Sequence, residues 1–193
     1  VMVSEVITGL QVRPDGAYID CTVGEGGHAA AVLTAAEPPP RLLGIDLDAA
    51  SLATAGRRLE AYEDRVTLAQ GSFADLGALA AQQGFWPADG VLFDLGVSSR
   101  HLETADRGFS FSRLGPLDMR FDVSQRLTAH QVVNETSEKE LADIIYQLGE
   151  EPKSRRLARA IIRARPLKTT VELASVIARV GQSKRRGIHP ATR

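Results

Sequence analysis

The sequence predicts an α/β chain in which a parallel sheet of four strands, covered by helices, gives way to an all-helical region. Three observations predict it. In the first hundred residues short apolar runs alternate with segments of helical periodicity, the pattern of a parallel sheet with helices on its faces. Each run is apolar nearly throughout, as strands buried on both faces require. Beyond Ser99 the strand pattern stops, and after a loop-rich stretch only helical periodicity continues.

The predicted strands cover residues 17–23, 41–46, 65–70 and 90–95, joined by right-handed helical crossovers. The helix after Asp48 sets Leu52, Ala55 and Leu59 on one stripe. Residues 100–126 read as loop, with Gly108, Gly115, Pro116 and several charges. Ser137 and Glu140 form a capping box ahead of Leu141, Ile144, Ile145 and Leu148, with Gly149 at the expected C-terminal cap. A further helix follows Pro152, and Thr169 with Glu172 repeats the capping box before Leu173, Val176, Ile177 and Val180. The division is drawn as residues 1–107 for the sheet domain and 108–193 for the helical region. Val1 opens inside an apolar stretch, the chain stops directly after residues 189–192, and the fourth strand lacks a neighbour on one side, so a fragment is expected.

Composition narrows the function classes. With 193 residues and 44% hydrophobic content the chain can bury a real core. It has no run of eighteen apolar residues and no leader-like N-terminus, so the cytoplasm is the expected compartment and nothing marks a membrane partner. The single cysteine, Cys21, excludes an intramolecular disulfide and a zinc site of several thiolates; no metal is expected. The net charge of −1 hides a division. Residues 1–99 carry 5 basic against 13 acidic side chains, residues 100–193 carry 18 against 11, and from Pro152 onward the tally is 12 against 1. A basic second half suggests a polyanionic partner, although solvated helix faces would read the same way.

The chemistry concentrates where predicted strands end. Asp20-Cys21-Thr22-Val23-Gly24-Glu25-Gly26-Gly27-His28 leaves the first strand and enters a helix; its glycines let backbone approach a ligand and open a helix N-terminus toward it. A tight turn without ligand is the alternative. Asp46 ends the second strand, 22 residues beyond Gly24, where a carboxylate can accept two hydrogen bonds from ribose hydroxyls, or cap a helix as Asp48 also could. The spacing Gly24-x-Gly26-Gly27 departs from the dinucleotide fingerprint, which favours an adenosine cofactor without pyrophosphate over a nicotinamide dinucleotide. Ser72-Phe73 follows the third strand, where Phe73 can cover an adenine or join the core. Asp94 ends the fourth, on the carboxyl rim where open parallel sheets bind ligands, or caps the loop after it.

Taken together, GEGGH (24–28), GIDLD (44–48), DLGVSS (94–99), RGFSF (107–111), GPLDMR (115–120), GEE (149–151), ARAI (158–161) and HPATR (189–193) closely resemble the bacterial 16S ribosomal RNA cytosine N(4)-methyltransferases, the RsmH or MraW family. The resemblance implies a Rossmann-like class I methyltransferase sheet, with its first four strands present, interrupted by an all-helical insert that recognises 16S rRNA or the small ribosomal subunit. It implies that Gly24, Gly26, Gly27 and His28 contact S-adenosyl-L-methionine, Asp46 its ribose, Phe73 its adenine region and Asp94 the far side of the pocket. At position 101 the family usually carries Gln where this chain has His101, which would keep a cofactor contact through a ring nitrogen or face solvent. Later strands of the sheet are also implied, as is an inactive or weakly binding fragment; a homodimer is compatible.

A cytosine exocyclic amine is a poor nucleophile, so positioning against the methyl group is the main requirement. Cys21 is wrongly placed for attack on a ring carbon. Asp94 is the expected catalytic residue, orienting the amine with the backbone of residues 95–99, because the Pro-Pro-aromatic motif of other amino-methyltransferases is absent. Arg156, Arg159 and Arg163 fall on one helical stripe opposite Leu157, Ile161 and Ala164, and Lys184, Arg185 and Arg186 follow further on; these six are the expected RNA contacts. A noncatalytic RNA-binding fragment and an NAD-dependent dehydrogenase are the competing readings.

Overall fold

The computed structural model describes residues 2–180 and Ala191. The chain separates into two compact units, Val1–Gly96 and Val97–Arg193.

The first unit runs α1 (Val3–Leu10), β1 (Ala17–Asp20), α2 (Gly27–Thr34), β2 (Arg41–Asp46), α3 (Ala49–Arg58), β3 (Val66–Gln70), α4 (Leu76–Gln82) and β4 (Gly90–Leu92). The strands lie in the order β3-β2-β1-β4, all parallel, with Asp20 level with Gly44 and Leu92, and Asp46 level with Gln70. This is a doubly wound, Rossmann-like arrangement whose strand order reverses between β1 and β4.

Strand alternation sorts the core onto two faces. Tyr18 and Leu42 pack with Val32 and Leu33 of α2 and Ala55 of α3, while Ala17, Ile19, Leu43 and Ile45 pack on the other side with Ala80 of α4 and Phe85. Truncating Leu33, Leu43 or Ile45, all fully buried, to Ala should cost about 2–5 kcal/mol.

The α/β class and the four parallel strands match the sequence reading; the strand ends do not. β1 stops at Asp20 rather than residue 23, although the Cys21 amide still donates to the Leu92 carbonyl and the Val23 amide to Ile45. Cys21 and Val23 are apolar and buried, so they look like strand while belonging to the turn. β3 and β4 are partly exposed, not buried on both faces, because each pairs on one edge only; Val91 is 40% exposed.

The helical unit contains α5 (Ser99–Glu103), α6 (Ala129–Glu135), α7 (Glu138–Gly149), α8 (Ser154–Ala164) and α9 (Thr170–Val180). Leu117, Val133, Leu141, Ala142, Ala158, Ile161 and Leu167 form its core. Both expected capping boxes are present: Ser137 and Glu140 exchange bonds at the start of α7, and Thr169 and Glu172 do so before α9. Gly149 is not the cap; α7 runs through it and Glu150 takes the left-handed position (φ 49°), its amide donating to the Ile145 carbonyl.

Beyond α5, residues 104–126 are ordered more by bonds to the backbone than by regular elements. Arg107 donates to the carbonyls of Arg120 and Phe121, Met119 N–H to the Arg107 carbonyl, and Arg120 grips Asp118 at 2.9 and 2.7 Å. Gly108 has φ 72°, and a Cβ there would strike the Pro116 carbonyl oxygen and come within 2.8 Å of the Asp118 nitrogen. The RGFSF and GPLDMR segments are therefore two sides of one lock. That lock keeps residues 97–107 with the helical unit, so the division falls after Gly96 rather than after residue 107. Among the described residues no helix is long and apolar enough to cross a membrane.

Candidate cofactor site at the carboxyl edge of the sheet

Every strand of the first unit delivers a polar or aromatic group to its carboxyl end. After β1 the chain turns through Gly24 (φ 52°) and Gly26 (φ 80°), and Gly26 caps α2. A Cβ at Gly26 would lie 3.4 Å from Ala55 and Leu59, so glycine there serves both the left-handed turn and close packing on α3.

Asp46 fixes this turn. Its Oδ2 accepts the Gly24 amide at 2.8 Å and its Oδ1 the Asp48 amide at 2.9 Å. Asp48, in turn, caps α3 by accepting from the Ala50 amide, as the sequence allowed. A carboxylate has about four acceptor positions, so two bonds leave each Asp46 oxygen a lone pair for another donor.

Beside the turn, Thr22 Oγ1 accepts the Asp94 amide at 2.8 Å, tying the end of β4 to the turn after β1. This bridge spans the place where the strand order reverses, the usual ligand crevice of an open α/β sheet. The Asp94 side chain is about half exposed, with its Oδ2 3.7 Å from His28 Nδ1. Phe73 follows Ser72, which caps a short 3-10 turn, and meets Phe93 edge to face at 5.9 Å. These rings, 44% and 46% exposed, form an apolar lip next to carboxylates.

Three members of this arrangement were not assigned from the sequence: Asp20, Thr22 and Phe93. Asp20 is 3% exposed; its Oδ1 accepts the Thr22 amide at 3.1 Å, while its buried Oδ2 has no hydrogen-bond partner among the described residues. Burial pushes its carboxyl up to about 6, against the Thr22 bonds and the nearby His28, which pull the other way. The only sequence signal is a carboxylate closing an apolar strand. Burial likewise pushes the Cys21 thiol up to about 11, so it is a poor nucleophile at neutral pH.

The Asp20 shift has a consequence for stability. A carboxyl raised from 3.8 to about 6 on folding favours the folded state fully below pH about 4, and that contribution disappears as pH rises through 6. We expect the unliganded protein to lose up to about 3 kcal/mol over this window on account of Asp20. Urea unfolding of the Asp20→Asn variant beside the parent at pH of about 3.5 and about 7.5, either side of the window, should show a smaller decline in the variant.

The remaining sequence-selected residues lie in the helical unit. His101 is 4% exposed, not solvent-facing. Its Nδ1 accepts the Ser98 amide at 3.2 Å in a capping box, and its ring packs on Phe109 and Phe121 at 4.9 and 5.0 Å. It closes the start of α5 and packs in the helical unit. Arg156, Arg159 and Arg163 are exposed along α8, whose opposite side buries Leu157, Ala158 and Ile161; Arg159 also lies 3.3 Å from Glu138. Lys184, Arg185 and Arg186 lie outside the described residues. No cluster of three metal-ligating side chains occurs among the described residues.

A model of the MraW methylase family matches residues 1–193. The chain belongs to that family. Ribosomal RNA small subunit methyltransferase H of Dehalococcoides mccartyi (strain BAV1) is 46% identical over 193 residues, covering 100% of this chain and 55% of the relative. The protein of the same name from Thermomicrobium roseum is 47% identical over 196 residues, covering 100% and 60%. The chain thus spans little more than half the length of these relatives. Among solved structures, a proposed rRNA methylase from Clostridium thermocellum reaches a TM-score of 0.42 at 20% identity over 49% of this chain and 51% of that one. In this MraW-family chain GEGGH and DLGVSS follow β1 and β4 and GIDLD spans the end of β2, all at one sheet edge, whereas RGFSF and GPLDMR close the loop lock of the helical unit. Membership in a methylase family also sets aside the dehydrogenase reading.

Proposed function

We propose that this chain supplies the S-adenosylmethionine site and the RNA-facing helices of an enzyme that methylates the exocyclic N(4) amine of a cytidine in the decoding region of 16S rRNA, in the cytoplasm. The observation that carries the reading is the Asp46–Gly24 bond, which presents a glycine turn and a carboxylate with lone pairs to spare at the sheet's switch point. Two adjacent hydroxyls of a ribose match that carboxylate, and the Phe73–Phe93 lip matches an adenine face. The helix entered through Gly26 and Gly27, with His28 beside it, faces the amino-acid end of such a ligand.

When bound, S-adenosylmethionine would supply an electrophilic methyl group for the amine. The protein orients the amine and receives its proton. Asp94 suits both roles: its backbone is held by Thr22, its carboxylate is half exposed, and His28 stands near one oxygen. Methyl transfer from labelled cofactor to small-subunit RNA by the complete gene product tests the reading. Asp94→Asn should lower turnover by about two orders of magnitude. Unchanged cofactor affinity and turnover in that variant would remove Asp94 from the site.

The helical unit would hold the RNA through Arg156, Arg159 and Arg163, with Lys184, Arg185 and Arg186 completing the set. A triple Arg→Gln replacement on α8 should weaken RNA binding and flatten the plot of log affinity against log salt by about 2, given roughly 0.7 per phosphate contact on single strands. Titrations in rising potassium chloride would show it, and an unaltered slope would move the RNA elsewhere.

A further inference from the structure

We propose that a groove between α6 and α7 docks a basic protein segment carrying an apolar anchor, so that the helical unit holds protein there as well as RNA along α8. The inference rests on reading the target as ribosomal RNA, because proteins that coat a polyanion are themselves basic.

The groove is built from two helix faces. On α6 it is lined by Val132 and Glu135, and on α7 by Glu140, Asp143, Ile144 and Gln147, which recur at i, i+3, i+4 and i+7 and so share one face. Leu127, Val132 and Ile144 also line a second cavity of about 390 Å³, whose wall includes Leu141, Ile145, Leu157 and Ile161. The groove and the cavity therefore adjoin along three apolar side chains. Leu127 is 65% exposed, and Leu148, one turn beyond Ile144, is 81% exposed, so apolar surface continues outward from the cavity. A partner's leucine or aromatic side chain fits such a cavity as an anchor.

Charge selects the partner. Residues 126–151 carry six acidic side chains against two basic, Arg126 and Lys139, whereas the chain from Pro152 onward is strongly basic. Glu135, Glu140 and Asp143 stand along the groove, and the Ser137 bonds hold the Glu140 carboxyl below its usual range, so it remains an anion. Lys139 lies 3.2 Å from Asp143, but both are exposed and the pair is weak. Phosphates meet like charge at this rim, while lysines and arginines meet opposite charge. An apolar floor under an acidic rim matches an amphipathic basic segment laid into the groove.

The test uses the complete gene product, with purified small ribosomal subunits and the protein-free 16S rRNA extracted from them as the two probes. Glu135→Lys with Asp143→Lys reverses two exposed charges and spares Glu140, which caps α7. This double variant should bind subunits about tenfold more weakly, as the loss of a few exposed ion pairs predicts. It should bind the bare RNA as tightly as the parent or more tightly, since added cations favour phosphate. Ile144→Ala should weaken subunit binding about fivefold and leave RNA binding unchanged. With a photoreactive benzophenone side chain in place of Gln147, irradiation with subunits should attach a basic protein to the groove. Subunit binding by the double variant equal to the parent's overturns the proposal, and so does an equal loss for both probes. Attachment of the benzophenone to RNA, or to another segment of the same chain, overturns it as well. If the parent binds neither probe, the reading of the target as ribosomal RNA fails and this inference falls with it, an outcome seen before any variant is made.

Discussion

Asp46→Ala is expected to lower the affinity for S-adenosylhomocysteine by about a hundredfold or more, measured by calorimetry on the complete gene product. Two losses combine. The variant forfeits a carboxylate that would take two hydroxyl donors, each charge-assisted bond worth about 1.5–3 kcal/mol. It also frees the Gly24 and Asp48 amides, which Asp46 holds at 2.8 and 2.9 Å, so the turn is no longer preorganised. Asp46→Asn should fall nearly as far, because its amide group would point a hydrogen at one of those two N–H donors. An affinity within threefold of the parent, roughly 0.6 kcal/mol, would mean that the ribose is not held here.

Gly108→Ala should be strongly damaging in the helical unit. Alanine at φ 72° is disfavoured by about 1–2 kcal/mol. The new carbon also meets backbone, the Pro116 carbonyl and the Asp118 nitrogen, which cannot swing aside as a side chain could. Together these should cost about 3 kcal/mol or more and lower the melting temperature by about 10 °C, followed by circular dichroism. Gly77→Ala is the matched control. Gly77 lies inside α4 with nothing within 4 Å of its added carbon, so the same chemical change should be neutral or stabilise by about 0.5–1 kcal/mol. Equal melting temperatures for the two variants would show that residues 107–120 do not lock the unit.

The sequence was readable where local chemistry alone decides the structure. β2 was located to the residue because an apolar run is bounded by Arg41 and Asp46, and the helices from Ser137 and Thr169 announce themselves by side chains that bond their own first turns. Strand ends were less legible, since Cys21 and Val23 are buried without continuing β1. The segment from 100 to 126 was opaque for a different reason: Arg107 and Arg120 order it through carbonyl oxygens, which carry no side-chain identity. His101 shows the same limit, because a histidine at the third position of a helix gives little notice that it will close a capping box.

The candidate site divides similarly. Glycines and carboxylates at strand ends could be picked out by position, and the structure gathers Gly24, Gly26, His28, Asp46, Phe73 and Asp94 at one edge. Thr22 and Asp20 could not be picked out, because their part depends on which loops become neighbours once the sheet is assembled.

The arginines tied to main-chain carbonyls change what the basic surplus of the helical unit means. Arg107, Arg113, Arg120 and Arg165 each donate to main-chain carbonyls, with Arg165 fastening α6 through Val133 and Thr136. Their charge would still draw a polyanion from a distance, but those hydrogens are already engaged. Long-range attraction and short-range grip are therefore carried by different residues. A count of positive side chains overstates how many phosphates this unit can hold at once, and diluting the buffer should accelerate encounter more than it multiplies contacts.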